Sequence, residues 1–178
     1  MFKTRLLSGI VLVIAAIFLI VTGNEVLLFS TLLISCIGMF ELFRVFKFEK
    51  SLLSVVTYIA LILFYINLRW SFIPDVMMLF MGFLIVLMFV YVLSYPKYDA
   101  KQLMAAFFGM FYVGTMLSYV YQIRTLNNGL YLAFLVFLCS WGCDTCAYCV
   151  GVLIGKHKMA PKLSPKKSIE GAVGGVVG

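Results

Sequence analysis

Six apolar runs, each close to the length of a bilayer crossing, constrain this chain more than any other feature of its sequence. They extend from Leu6 to Thr22, Val26 to Phe43, Leu52 to Leu68, Val76 to Leu93, Leu103 to Ile123 and Leu130 to Ile154. A helix needs about 20 apolar residues to cross the hydrocarbon core, and a spanning segment must satisfy its own backbone there. A seventh run opens at Ser168 and reaches only Gly178, too short to cross at about 1.5 Å per residue. The expected fold is an all-α, polytopic membrane helix bundle of six spans plus the start of a seventh. Composition agrees: 64% of the 178 residues are hydrophobic and 12% charged, too little polar surface to coat a water-soluble globule.

The gaps between runs carry the charge, and they carry it unevenly. Lys3, Arg5, Arg44, Lys47, Lys50, Lys97, Lys101, Lys156, Lys158, Lys162, Lys166 and Lys167 fall on one side of the expected spans, and only Arg69 and Arg124 on the other. Positive residues resist translocation, so the N-terminus and the loop from Lys156 to Lys167 are expected on the cytoplasmic side of the cell (inner) membrane. The net charge of +7 is thus a matter of topology plus one anion site; no nucleic acid is expected as a partner, because the basic residues form no soluble patch. Trp70, Phe72, Tyr95 and Tyr98 near span ends read as interfacial anchors. Glu41 beside Arg44 reads as a boundary ion pair. Cys143, Cys146 and Cys149 form a staggered stripe with no obvious fourth ligand, which favours small-residue packing over zinc.

The first 125 residues contain no catalytic motif, so the chain is read as N-terminal transmembrane helices over residues 1–125 and a catalytic region over 126–178. Asp144 is the carboxylate that stands inside an apolar run, not at its edge. A charge there costs about 2.5 to 3.5 kcal/mol on insertion scales and normally faces a cavity, a cation or a basic partner. On one straight helix it lies about 18 Å inward from Lys156. After that helix comes a loop of Lys156, His157, Lys158, Lys162, Lys166 and Lys167 broken by Pro161 and Pro165, then Ser168-Ile169-Glu170, the pattern of a helix start whose N–H groups can receive phosphate oxygens. A carboxylate that can hold Mg²⁺, facing a loop that can hold phosphates, suits phosphoryl or nucleotidyl transfer. Gly151, Gly155, Gly171, Gly174, Gly175 and Gly178 make small faces for close helix packing.

The elements D-T-x-A-Y-x-x-G from Asp144 to Gly151, G-K-H-K from Gly155 to Lys158, and S-P-K-K-S-x-E-G-x-x-G-G from Ser164 to Gly175 resemble, in order and spacing, the phosphatidate cytidylyltransferase (CDP-diacylglycerol synthase) family. Ser168 stands where Thr is more usual. The resemblance implies transfer of CMP from CTP to phosphatidic acid, giving CDP-diacylglycerol and pyrophosphate. It implies Mg²⁺ on Asp144 and catalytic roles for Asp144, Lys166 and Lys167. Substrate binding falls to Lys156, His157, Lys158, Ser164, Ser168 and Glu170, although Glu170 can equally pair with a basic group or cap the helix. Membrane lipids and a homodimer are the further partners implied. The family's signature rich in paired aspartates lies further toward the C-terminus, so the 178 residues by themselves are expected to be inactive. Two other readings are a non-catalytic truncated relative and a transporter with Asp144 as ion-coupling site.

Overall fold

A computed structural model of the chain describes residues 2–162 and 164–178, apart from the side chains of residues 2–6 and of Lys166. Two compact units are present, Met1–Asn127 and Asn128–Gly178. The first holds α1 (Phe2–Thr22), α2 (Asn24–Val45), α3 (Leu52–Trp70) and α4 (Val76–Leu93), then a rod made of α5 (Ala100–Gly109), a π-helical segment (Met110–Thr115) and α6 (Met116–Thr125). Among the described residues five helices are long and apolar enough to cross a membrane: α2, α3, α4, the Ala100–Thr125 rod and the long helix of the second unit. The first expected span lies in α1, whose described apolar stretch, Leu7–Thr22, is shorter. The chain is a multi-pass, all-α membrane protein.

Local chemistry sets the helix starts. Ser51 Oγ accepts from Ser54 N–H while Ser54 Oγ accepts from Ser51 N–H, both at 3.2 Å, closing a reciprocal cap at the head of α3. Asp75 does the same work for α4 by accepting from Met77 N–H at 2.9 Å. Within the bundle α2 packs against α1, α3 and the rod, around a core that includes Met39, Phe43, Leu61, Phe64, Leu87 and Met110. Every buried side-chain polar atom described has a partner, as a medium without water demands. Tyr65, 1% exposed, shares a hydrogen bond of 2.9 Å with Ser35 and donates to the Gly114 carbonyl at 3.5 Å. The rod approaches α3 so closely at Gly114 that a Cβ there would come within 2.6 Å of Leu61.

Arg69 and Arg124, the two basic residues on the sparse side, both find partners inside the first unit. Arg69 pairs with Glu25. Arg124 donates from Nε to the Ile20 carbonyl at 2.8 Å, covering the free carbonyls at the end of α1. At the opposite end of the bundle the Glu41–Arg44 pair forms at 3.7 Å as expected. Tyr98 departs from its expected role: it is 7% exposed, and its hydroxyl accepts from Leu52 N–H at 3.1 Å. It locks the chain after α4 onto the start of α3 and is not a free interfacial anchor.

The second unit is a hairpin of α7 (Gly129–Ile154) and α8 (Ile169–Val177), joined through two short antiparallel strands, β1 (Lys158–Ala160) and β2 (Ser164–Ser168). Lys158 pairs with Ser168 and Ala160 with Ser164. The ribbon corrects the expectation of an irregular, proline-broken loop. Pro161 lies in the turn, where no ladder N–H is required, and Pro165 stands in a two-stranded ribbon, which is all edge. Glycine makes the helix contact. A Cβ on Gly174 would fall 2.5 Å from Val150, one on Gly175 3.1 Å from Ala147, and one on Gly171 2.8 Å from the Ala147 carbonyl. The three glycines of α8, with Gly178 just past its end, thus let the backbone lie against Cys143, Cys146, Ala147, Val150 and Gly151 of α7. Cys143 and Cys146 are small-residue packing positions in this seam.

Candidate active site

Asp144 lies ten residues before the end of α7, about 15 Å inward along the axis. It shares a helical stripe with Ala147 and Gly151, three and seven residues on, and both of those touch α8. The carboxylate therefore flanks the α7–α8 seam. Within the described residues it has no hydrogen-bond or ion-pair partner, and no group of three or more His, Cys, Asp or Glu forms around it.

At the mouth of the same hairpin, Glu170 holds the turn out of α7. Its carboxylate accepts from Lys156 N–H at 3.1 Å, from His157 N–H at 3.2 Å, and pairs with His157 Nδ1 at 2.7 Å. The His157 contact, first, and these amides hold the Glu170 carboxyl down at about 2 against an ordinary 4.5. A carboxyl depressed on folding contributes above its ordinary value and loses that contribution as pH falls toward the depressed one. The clamp is accordingly intact above pH 4.5 and opens between about 4.5 and 2. Glu170→Ala is expected to speed hydrogen exchange at the Lys156 and His157 amides by about tenfold or more at neutral pH, because two charge-assisted bonds are lost. Unchanged exchange would remove the clamp from the account.

The remaining expected site residues sort by position. Lys156, His157, Lys158 and Lys167 are exposed on the turn and ribbon, and among the described residues none of these lysines has an ion-pair partner. Ser164 is half-buried at the start of β2. Ser168 is buried, and its Oγ accepts from Gly171 N–H at 3.2 Å as the cap of α8. The Lys166 side chain lies outside the described residues. The helix start at Ser168 is real, but its amides are not free for phosphate: Ile169 N–H donates to the His157 carbonyl at 2.9 Å and Gly171 N–H to Ser168. The cationic groups left exposed at this end of the hairpin are the lysine side chains. Asp144 and the lysines sit on one hairpin but do not touch; about 15 Å of α7 separates the acid from the turn.

Comparison with known proteins agrees with this architecture. Residues 3–178 match the model of the cytidylyltransferase family. The chain is 30% identical over 184 residues to a phosphatidate cytidylyltransferase of Bacillus subtilis (strain 168), covering 98% of this chain and 67% of the relative. It is 29% identical to one from Staphylococcus saprophyticus, with 98% and 68% covered, and 30% identical to one from Staphylococcus aureus (strain COL), with 98% and 67% covered. No solved structure matches.

Proposed function

Because this chain belongs to the cytidylyltransferase family, we propose that it works in phospholipid synthesis as a phosphatidate cytidylyltransferase, moving CMP from CTP to phosphatidic acid with release of pyrophosphate. The observation that carries the reading is one helical hairpin bearing a carboxylate within a span-length helix and, at its mouth, lysines that are unpaired among the described residues. One substrate is a lipid and the other a highly charged, water-soluble nucleotide, so a site open along the flank of α7 suits both. A phosphate oxygen of phosphatidate forms the new bond to the α-phosphorus of CTP. The bond from that phosphorus to the bridging oxygen breaks, and its electron pair leaves with pyrophosphate.

In such a transfer the protein chiefly positions and neutralises. Lys156, Lys158 and Lys167, with Lys166, offset the phosphate charge, and Glu170 through His157 keeps the turn that presents them. Asp144 suits Mg²⁺: it offers hard oxygen donors and is unpaired among the described residues, and this ion is commonly held by one or two carboxylates with substrate phosphates and water completing the shell. When bound, Mg²⁺ supplies charge neutralisation to the triphosphate. The uneven distribution of basic residues supports a cytoplasmic placement of the ribbon in the cell membrane. A homodimer is the assembly carried by the family resemblance.

The test is binding of CTP labelled at its α-phosphate to the chain in lipid nanodiscs. Binding that requires Mg²⁺ is expected. A folded chain that takes up no CTP would sink the assignment and favour a non-catalytic relative. Transfer of label to lipid in the same sample decides whether these residues alone suffice.

A further inference from the structure

A cavity lined by three lysines stands in the first unit, well away in sequence from the hairpin. The turn between α2 and α3 and the chain between α4 and α5 meet at one end of the bundle. They are joined by Leu52 N–H donating to the Tyr98 hydroxyl at 3.1 Å and by Gln102 Nε2 donating to the Phe46 carbonyl at 3.1 Å. Between them lies a cavity of about 330 Å³ that Lys47, Lys50 and Lys97 line together. All three lysines are exposed, and among the described residues none has an ion-pair partner. One carboxylate, Glu49, shares the cavity wall, which leaves a local excess of two positive charges. Phe48, 3% exposed, and Tyr98, 7% exposed, add aromatic surface to the lining.

Two features show that this is more than a scatter of surface lysines. Lys47 has φ of +58°, a left-handed conformation that ordinarily falls to glycine just after a helix and costs a side chain of this kind on the order of 1 kcal/mol or more. A lysine is held there nonetheless, at the wall of the cavity. Lys97 in turn lies over the Tyr98 ring, with Nζ 5.5 Å from the centroid, so the residue that locks the two segments together also carries one of the cations.

We propose that this cavity binds the phosphate of an anionic membrane phospholipid. The lipid source is favoured over a soluble anion by position: the cavity sits where α2, α3, α4 and the α5–α6 rod, all of span length, end at a common face. A phosphate there lies at headgroup depth, with Phe48 and Leu52 beside it for the glycerol and upper acyl region. Each lysine near an anionic surface contributes favourably and independently of the site on α7. The proposal does not rest on the assignment of cytidylyl transfer.

The experiment is lysine acetylation footprinting of the full chain in vesicles, read residue by residue by mass spectrometry. In phosphatidylglycerol, a phosphodiester lipid, Lys47, Lys50 and Lys97 are expected to be acetylated about threefold or more slowly than in phosphatidylcholine. Lys101 and Lys162, exposed and outside the cavity, serve as the comparison. Equal protection of all five would reduce the cavity to diffuse surface attraction and overturn the proposal. So would equal protection of the three in phosphatidylcholine with millimolar inorganic phosphate, which would mark a site for soluble anions. In K47Q/K50Q/K97Q, phosphatidylglycerol retained by the purified protein is expected to fall about tenfold, with K47R/K50R/K97R as the charge-preserving partner. Retention unchanged in the glutamine variant would also overturn it.

Discussion

Asp144→Asn is expected to weaken Mg²⁺-dependent CTP binding by about tenfold or more and, in any sample that transfers label, to slow transfer by about 10² to 10³-fold, the scale of losing one key electrostatic group. Its effect on folding should have the opposite sign or none. The carboxylate has no partner among the described residues, so its removal orphans nothing there, while a charge within a membrane helix is itself costly by about 2.5 to 3.5 kcal/mol on insertion scales. The informative comparison is CTP binding with and without Mg²⁺. If Asp144 holds the ion, parent and variant differ only when Mg²⁺ is present. Equal binding under both conditions would leave Asp144 with no part in nucleotide handling. A variant that unfolds at a lower temperature than the parent would point to a structural partner for the carboxylate.

Gly174→Ala should separate α8 from α7. The new Cβ would stand 2.5 Å from Val150 Cβ and Cγ2, and a β-branched side chain on a helix has one strongly preferred rotamer, so Val150 cannot swing aside. Overpacking of this kind costs about 1 to 3 kcal/mol. Here it acts on a nine-residue helix whose main described partner is α7. Hydrogen exchange along α8 is expected to rise by about tenfold or more, and CTP binding to fall with it, because Ser168 and Glu170 lose their places. Gly142→Ala, on α7 with nothing within 4 Å of the new Cβ, is the matched change that should be neutral. Val150→Gly combined with Gly174→Ala moves the bulk across the seam and should recover part of the loss. No recovery would mean that Gly174 serves α8 through its backbone and not through contact.

How much of this was legible beforehand depends on whether the determining physics is local. Hydrocarbon thickness dictates span length, so Val76 to Leu93 could be delimited from the run of apolar residues alone and reappears as α4 with the same ends. Other spans differ by a few residues at their ends, where capping decides. The start of α8 was also readable, since Ser168 as a cap followed by Glu170 is a pattern within four residues. The family resemblance rests on contiguous motifs and needed no fold.

What only the tertiary structure decided involves partners far apart in sequence, or polar segments with no hydrophobic period to read. The ribbon of Lys158–Ala160 with Ser164–Ser168 has no alternation of apolar and polar residues, because its stability comes from pairing and from the Glu170 clamp. Glu170 could have faced a substrate, a lysine or its own helix; the return of α8 onto α7 gave it His157 and two amides. The same return used the α8 amides that the sequence left open to phosphate. Arg124 needed the end of α1, more than a hundred residues earlier, to find its hydrogen-bond acceptor. Lys47, Lys50 and Lys97 were only topology signals until two turns closed on one cavity. Composition and spacing report the local cost of placing a residue in lipid or at a helix end, whereas a hydrogen bond or ion pair between distant segments depends on a chain path that no local term encodes.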